Sequence, residues 1–316
     1  MHDRIVSALT TMLSSSSTVP TVCVNAKSMG ATLKCVCFCS APPSDTPAHR
    51  VWNILDGDAQ FRLFHASVTA VEPNPSFVIL TDEFTPFDST LPMVDVQRSS
   101  INHGEIMLER TRRQSAFLNG DPLDKPVVFF DTDMLLLKPI SPLFERDFDV
   151  ALTLRPSGRM PVNGGLIFIN NHRPGLVRLF FQSLKDHMES EAQGQKREWY
   201  GDQLALADIV GEVNVTRDRD TIREINGLRI LFLDAARYNY SPNRDHPVLW
   251  SNLSGISLYH FKSRCRIYMS DFWTKRINPR RGFLDRLPLT WLFKGLWLEW
   301  KRKKTKQVFF GDTRRL

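Results

Sequence analysis

The stretch VVFFDTD at residues 127–133 decides the fold of this chain. Four consecutive branched or aromatic residues run directly into two aspartates, Asp131 and Asp133, with one residue between them. A short apolar run of this kind predicts a strand that is buried on both faces, as in a parallel sheet covered by helices. The two carboxylates should therefore lie at the carboxyl edge of the sheet, where α/β proteins bind ligands.

The spacing of Asp131 and Asp133 points to a divalent cation. Residues i and i+2 of an extended segment face the same side, so both carboxylates are expected to share one ion. Mg²⁺ and Mn²⁺ prefer oxygen ligands and are often shared with substrate phosphates. The alternative is that Asp131 caps the strand and Asp133 is solvated. The apolar runs on both sides favour the metal site, because two carboxylates shielded from water repel each other.

The surrounding chain alternates between strand and helix patterns, which is typical of a mostly parallel sheet with right-handed crossovers. The predicted strands are residues 32–40, 77–82, 127–130, 148–154, 162–169, 228–233 and 256–261, and the predicted helices are 61–68, 103–118, 174–188 and 204–210. We find no internal repeat and no domain boundary before about residue 275. The pattern predicts one α/β domain over residues 32–274 with a mixed, mostly parallel sheet.

The composition is that of a globular protein. The chain has 316 residues, of which 42% are hydrophobic and 24% charged, and no run approaches the ~20 apolar residues of a membrane span. Residues 1–31 are rich in Ser and Thr and are expected to be flexible. Cys35, Cys37 and Cys39 alternate along one predicted strand, where they cannot easily surround a tetrahedral ion. We expect them to be reduced thiols in a cytoplasmic protein.

The positive charge is concentrated in a basic aromatic tail, residues 275–316. The tail holds 13 of the 41 Lys and Arg residues against three acidic ones, which leaves 28 basic and 31 acidic residues for the rest of the chain. Its apolar face carries Trp297 and Trp300 and is followed by the basic cluster KRKK at 301–304. This amphipathic C-terminal helix fits an anionic membrane surface or docking on its own domain. We do not expect nucleic-acid binding.

Five motifs occur in a fixed order: LTD at 80–82, FDTD at 130–133, VNGGLIFIN at 162–170, GDQ at 201–203 and HFK at 260–262. In this order they resemble nucleotide-sugar glycosyltransferases of the GT-A fold, with the nearest likeness to glycosyltransferase family 8 and related sugar transferases. The resemblance covers residues 33–268. It implies a single Rossmann-like GT-A (nucleotide-diphospho-sugar transferase) domain and transfer of a sugar from a nucleotide-diphosphate donor, a UDP-sugar above all, to a hydroxyl of a glycan or glycolipid.

The resemblance also implies the metal and diphosphate contacts. Asp131, Asp133 and His260 would hold Mn²⁺ or Mg²⁺ bridging the donor diphosphate, and Lys262 would contact the diphosphate as a point charge. The ordinary alternatives are a core histidine at His260 and an exposed strand-end charge at Lys262. The family usually has a Gly and a Lys-Pro-Trp after its late histidine, whereas this chain has HFKSRCR at 260–266. The cationic function is then shared by the basic residues of that segment, Lys262, Arg264 and Arg266.

The same resemblance assigns the sugar-binding residues. Asp202 would hydrogen-bond donor-sugar hydroxyls, and Asn163 and the Gly164 backbone would lie along the sugar or the acceptor, so Asp202 and Asn163 are the candidate catalytic residues. Arg110 is expected near the sugar or phosphates, and Asp82 is expected to help bind the donor. Two neighbours on the same helix are alternatives to Arg110: Arg112 and Arg113. Asp202 as a helix N-cap and Asp82 as a simple strand end are the structural alternatives.

Two other functions are alternatives to sugar transfer. A sugar nucleotidyltransferase would normally show a Gly-rich, basic loop after its first strand, and the APPS sequence at 41–44 is not one. A catalytically degenerate protein that binds nucleotide or glycan at a membrane would not need Asp131, Asp133 and His260 intact. No second carboxylate is assigned as a general base, so retaining and inverting transfer both stay open.

Overall fold

A computed structural model describes residues 33–41, 57–87, 90–155, 160–191, 200–242 and 252–278. The predicted flexible segment 1–31 and nearly all of the basic aromatic tail lie outside the described residues, and the domain limits stay predictions. Among the described helices, none has the length and apolar character needed to cross a membrane.

The described chain alternates between strands and helices from its first strand onward. The strands are β1 Leu33–Phe38, β2 Pro75–Thr81, β3 Val94–Arg98, β4 Val127–Phe130, β5 Met134–Leu136, β6 Val150–Leu154, β7 Val162–Ile169, β8 Ile222–Ile225, β9 Leu228–Asp234 and β10 Leu258–His260. The α-helices are α1 Gly57–Val71, α2 Ile106–Gly120, α3 Pro174–Ser190, α4 Gly201–Val210, α5 Val215–Asp218, α6 Ala235–Tyr238 and α7 Met269–Phe272. Short 3₁₀ turns cover His103–Glu105, Ser141–Glu145 and Ser263–Tyr268, and a π-helical turn covers Trp273–Ile277.

Eight strands form one sheet in the order β3-β2-β1-β4-β7-β6-β9-β8. Neighbouring strands are parallel from β3 to β4 and again between β6 and β9, whereas β7 and β8 run in the opposite direction. The prediction of a mixed, mostly parallel α/β sheet is confirmed. Because β7 is antiparallel to β4, the first residues of β7 lie at the same edge as the carboxyl ends of β4 and β6.

The strand β4 is buried on both faces, as its apolar sequence predicts. Val127 and Phe129 pack into the core beneath α2, α3 and α4, whereas Val128 and Phe130 pack into the core on the α1 side. Alternate side chains of a strand face opposite sides of the sheet, so every residue of β4 contacts one of the two cores. The site at the end of β4 therefore follows directly on a strand that is buried on both faces.

A second, two-stranded sheet pairs β5 with β10 in antiparallel register, and His260 lies opposite Met134. A third apolar cluster covers this pair and includes Tyr259, Phe261 and Phe272. The pairing joins residues more than 120 positions apart in sequence and brings the end of β10 beside the turn that follows β4.

The sequence patterns locate most of these elements, but they miss three strands: β3, β5 and β8. The two edge strands β3 and β8 have largely polar or exposed residues, with the sequences VDVQR and IREI. They therefore lack the apolar run by which the buried strands are recognised. β5 is only three residues long and is defined by its partner β10.

Candidate metal and ligand site

Asp131, Asp133 and His260 form one cluster, and one ligand atom from each lies within 4.8 Å of the others. The Nε2 atom of His260 is 3.0 Å from Oδ1 of Asp133 and 3.6 Å from Oδ2 of Asp131. Asp133 and His260 are almost completely buried, whereas the Asp131 side chain keeps 31% of its surface exposed. The cluster thus has a buried wall and one face that solvent or a ligand can reach.

The expectation that residues 131–133 are extended is wrong. They form a turn between β4 and β5, held on one side by a hydrogen bond from the Asp131 amide to the Gly165 carbonyl (2.9 Å) and on the other by one from the Phe261 amide to the Asp133 carbonyl (2.8 Å). The chain has to turn here because β5 leaves the large sheet to pair with β10. The turn, and not strand alternation, brings the two carboxylates to the same histidine.

Two arginines balance the carboxylates. Arg110 donates from Nη1 to Asp131 (2.8 Å) and from Nη2 to Asp202, while Nε of Arg266 donates to Oδ2 of Asp133 (2.6 Å). Burial acts to raise the pKa of Asp133, but the charge that His260 acquires at acidic pH and the charge of Arg266 outweigh it and hold that pKa well below its usual range. Burial raises the pKa of Asp131, and Arg110 offsets only part of this effect. The charge of each of these side chains therefore depends on the charges of the others.

The structure brings Arg110 to these carboxylates, rather than its two neighbours on α2. Arg112 donates to Glu109 and Glu189 at the surface, and Arg113 donates to the Ser100 carbonyl. Only Arg110 lies on the helix face that meets the sheet edge. Its function toward a ligand stays a prediction, but its place in the cluster is clear.

The two glycines of the NGG motif allow the carboxylates to approach β7. A Cβ atom on Gly164 would overlap the Asp202 carboxylate, and one on Gly165 would overlap that of Asp131. Glycine within a strand weakens it and commonly marks a close approach of another group. Here the approaching groups belong to the site itself.

We expect Gly164→Ala to lower the free energy of unfolding by about 3 kcal/mol, because it pushes Asp202 off Arg110 and leaves a buried guanidinium without its partner. Urea denaturation measures the change. Gly175→Ala is the matched control, since a Cβ there meets nothing within 4 Å, and this exchange at the exposed start of α3 should be neutral or stabilising by up to ~1 kcal/mol. Equal stability of Gly164→Ala and the parent would place Asp202 elsewhere.

His260 is oriented by a buried chain of hydrogen bonds. Asn239 donates from Nδ2 to Oγ1 of Thr153 (2.9 Å), and its Oδ1 lies 2.8 Å from Nδ1 of His260. With the amide in this orientation, Nδ1 of His260 carries the proton and donates to Asn239. Burial lowers the pKa of His260 against the attraction of Asp133, which favours the neutral ring. Nε2 then carries a lone pair and can act as a metal ligand.

This tautomer supplies a test of whether the residues fit a cation. Nε2 of His260 and Oδ1 of Asp133 are both acceptors, they lie 3.0 Å apart, and Oδ1 has no hydrogen-bond donor among the described residues. Two buried acceptors in contact repel each other unless a proton or a metal cation lies between them. Two carboxylates and one imidazole are a donor set that suits Mn²⁺, and Mg²⁺ less well because of the nitrogen.

We expect Asn239→Ala to weaken Mn²⁺ binding by about 10- to 100-fold, since loss of the oxygen that accepts from Nδ1 frees the ring to rotate or change tautomer. Mn²⁺ titration followed by electron paramagnetic resonance measures the dissociation constant. Asn252→Ala is the control because Asn252 is exposed and, within the described part of the chain, accepts a local hydrogen bond from the Ser254 amide. An unchanged Mn²⁺ affinity in Asn239→Ala would show that Asn239 does not position His260 for a metal.

Asp202 is held as an acceptor beside the metal cluster. It lies in the first turn of α4, where Tyr200 and not Asp202 occupies the N-cap position. Its Oδ2 accepts from Arg110, while Oδ1 is buried without a hydrogen-bond partner among the described residues. Asn163 is buried on β7, with its Oδ1 accepting from the Gly165 amide (2.8 Å). The unpaired oxygen of Asp202 is suited to a hydroxyl donor from a ligand.

Two further basic side chains lie beside the cluster, Lys262 and Arg155. Burial lowers the pKa of Lys262 to about 8, and the nearby charge of Arg155 adds to this effect. Arg155 follows β6 and donates from Nη2 to Oε1 of Gln203 (2.8 Å). Burial also lowers the pKa of Arg155, against the attraction of Asp202 and Asp131.

The sequence patterns did not single out Arg155 or Asn239 as site residues. A signal for Arg155 exists, because it is the first charged residue after a buried strand, the same rule that identifies Asp82 and Asp131. Asn239 has no such signal, since its contact with His260 depends on where β9 and β10 end in three dimensions.

Asp82 lies at the end of β2, and its carboxylate has partners of its own. Oδ1 accepts from the amides of Phe84 and Thr85, and Oδ2 accepts from the hydroxyls of Ser40 and Thr85. These hydrogen bonds outweigh burial and lower the pKa of Asp82. Asp82 therefore fixes the loops that follow β1 and β2, and its contact with a donor stays a prediction.

No protein-family model and no curated protein match the sequence. Among solved structures, the chain is similar to the glycosyltransferase GlyE of Streptococcus pneumoniae TIGR4 (14% identity, TM-score 0.44), with 74% of this chain and 55% of GlyE covered. The chain thus spans about half the length of GlyE. It is also similar to a galactosyltransferase, LgtC, solved with donor and acceptor sugar analogues (12% identity, TM-score 0.44, 73% and 87% covered). A third is a glycosyltransferase involved in glycosylation of the major capsid of PBCV-1 (12% identity, TM-score 0.43, 75% and 98% covered).

Proposed function

We propose that this protein is a metal-dependent glycosyltransferase, which moves a sugar from a nucleotide-diphosphate sugar, a UDP-sugar above all, to a hydroxyl of a glycan or glycolipid. The observation that carries the proposal is the convergence of Asp131, Asp133 and His260 at the carboxyl edge of the sheet, next to the unpaired carboxylate oxygen of Asp202. Residues that would hold a metal for phosphates and an acceptor for hydroxyls lie side by side, as a sugar diphosphate requires.

Asp131, Asp133 and His260 would hold the Mn²⁺ or Mg²⁺. A bound divalent cation supplies positive charge against the charge that grows on the leaving β-phosphate. Asn239 orients His260 for this role through the hydrogen bond to Nδ1. Arg110 fixes Asp131 so that its carboxylate keeps one position. Together with Arg266, which binds Asp133, these contacts hold the three ligand side chains in position before a donor binds.

The ammonium group of Lys262 provides a positive charge that contacts the diphosphate. It follows His260 by two residues and forms no ion pair with a described carboxylate, so its charge is available. A half-buried ammonium interacts more strongly with phosphate than an exposed one, because less water screens the pair. Arg266 already donates to Asp133, and its role is to hold that carboxylate.

Asp202 orients the donor sugar. Arg110 holds one of its oxygens, and the other accepts a hydrogen bond from a sugar hydroxyl. Asn163 lies on β7, where the missing side chain of Gly164 leaves room for the Asp202 carboxylate to lie against the strand. These contacts position the anomeric carbon near the acceptor, which is how enzymes convert binding energy into rate.

The basic aromatic tail would bind the protein to a membrane surface. Its tryptophans and basic cluster fit an anionic membrane surface on the cytoplasmic side, where each Lys or Arg contributes ~1 kcal/mol to binding. A lipid-linked acceptor would then be delivered to the catalytic domain by the membrane itself. The tail thus determines where transfer occurs, and the cluster at the sheet edge determines the chemistry.

We expect the protein to hydrolyse UDP-glucose or UDP-galactose slowly without acceptor in the presence of Mn²⁺, with activity lost in EDTA. Asp133→Asn should lower kcat/KM by about 100-fold, because it removes a ligand charge and leaves Arg266 without its partner. Release of UDP measures the rate. Asp208→Asn, an exposed aspartate on α4, should retain full activity.

Three outcomes would contradict the proposal. Mn²⁺-dependent binding of UDP-sugars without hydrolysis or transfer to any acceptor would indicate a degenerate binding protein. Formation of UDP-sugar from UTP and a sugar phosphate would indicate a nucleotidyltransferase. Absence of any nucleotide binding would exclude both enzymes and leave only a glycan-binding protein.

A further inference from the structure

Resting on the proposed function, we propose that Arg155 binds the carboxylate of an acidic sugar, so that the donor or the acceptor of this enzyme carries a uronic acid. No motif of the sequence assigns a role to Arg155. Some basic side chains of the site are already paired with carboxylates of the protein, whereas Arg155 is not paired with a described carboxylate and could bind one from a ligand.

Two arginines of the site are already bound by carboxylates. Arg110 donates to two aspartates at once, and Arg266 donates to a third. Each guanidinium is therefore neutralised locally by the protein. Arg110 is also buried, and Arg266 shares its charge with Asp133, so neither is an uncompensated cation.

Arg155 and Lys262 differ from these two arginines. Neither forms an ion pair with a carboxylate of the described residues, although both are half-buried beside the cluster. Two cations near each other at the same edge of the sheet repel, and each is partly withdrawn from water. For Arg155, the attraction of Asp202 and Asp131 offsets only part of the cost of burial, so the arrangement is unfavourable without an anion. It is stabilised when anionic ligand groups arrive.

Although their charges interact, Lys262 and Arg155 are attached to different parts of the site. Lys262 follows His260, on the side of the metal cluster where the diphosphate would bind. Arg155 is tied to Gln203, which is the residue next to Asp202, the acceptor for sugar hydroxyls. Arg155 therefore belongs to the sugar end of the site, where an ordinary neutral hexose offers no negative charge.

The guanidinium of Arg155 is oriented for a planar anion. Gln203 accepts one N–H from Nη2 at 2.8 Å, which restricts rotation of the group. A guanidinium has five N–H donors, so most remain for a ligand. Its fork matches the two oxygens of a carboxylate in a bidentate pair. A sugar whose C6 is oxidised to a carboxylate supplies that group on an otherwise unchanged ring.

Titration calorimetry with matched donors tests the inference without relying on turnover. UDP-glucose and UDP-glucuronic acid differ only at C6, and UDP-galactose and UDP-galacturonic acid form the same pair with the other C4 configuration. In Mn²⁺, we expect the parent protein to bind one uronate donor at least about tenfold more tightly than its neutral partner. Arg155→Gln should abolish this ratio and change the affinity for UDP itself by no more than about threefold.

Two further variants separate charge from geometry. Arg155→Lys keeps the charge but loses the fork, so it should retain only part of the preference. Arg217→Gln is the matched control, because this arginine is 73% exposed and lies beside Asp218, outside the cluster. It should show the full preference of the parent protein.

A second arm locates the carboxylate. If the paired donors bind equally, methyl β-glucuronide and methyl β-glucoside are titrated into the complex of protein, Mn²⁺ and UDP. A preference for the glucuronide that Arg155→Gln abolishes would support the inference and assign the acid to the acceptor. Equal binding in both arms would overturn it, as would an Arg155→Gln variant that weakens UDP as much as the UDP-sugars. Failure of UDP to bind at all would overturn the proposed function first.

Discussion

Three buried or half-buried carboxylates at one edge of a sheet repel one another, and the local structure is the way this chain offsets that repulsion. Arg110 spans two of the acids, Asp131 and Asp202, and Arg266 binds the third. Breaking a buried pair of this kind costs about 3–5 kcal/mol, because it leaves a charge without a partner. The protein retains this costly arrangement at the position where the fold binds ligands, which is the physical reason to regard it as a functional site.

Three features of the structure hold this cluster in place. The central strand β4 is anchored between two apolar cores, so the turn that follows it starts from a fixed position. The pairing of β5 with β10 then brings His260 to that turn across a long stretch of sequence. Gly164 and Gly165 remove the side chains that would otherwise occupy the space of the carboxylates. Packing, strand pairing and the absence of two Cβ atoms thus produce one geometry.

The extent to which sequence predicts this protein depends on the range of the interactions involved. Buried strands were recognisable because burial on both faces requires continuous apolar runs, as at residues 127–130. The edge strands β3 and β8 were missed because exposure permits polar residues. The rule that ligands bind at the ends of parallel strands identifies Asp131 and Asp133. It does not predict that a turn brings the two carboxylates together. Asn239 was missed because its contact with His260 depends on tertiary packing alone.

Anomalous diffraction from crystals grown with Mn²⁺ and UDP would test the metal site most directly. We expect one strong manganese peak per chain, coordinated by Asp131, Asp133 and Nε2 of His260, together with oxygens of the UDP diphosphate. The proton on Nδ1 of His260 should remain on the side of Asn239. UDP bound at this edge through basic side chains alone, with no manganese at the three residues, would show that these residues are not a metal site.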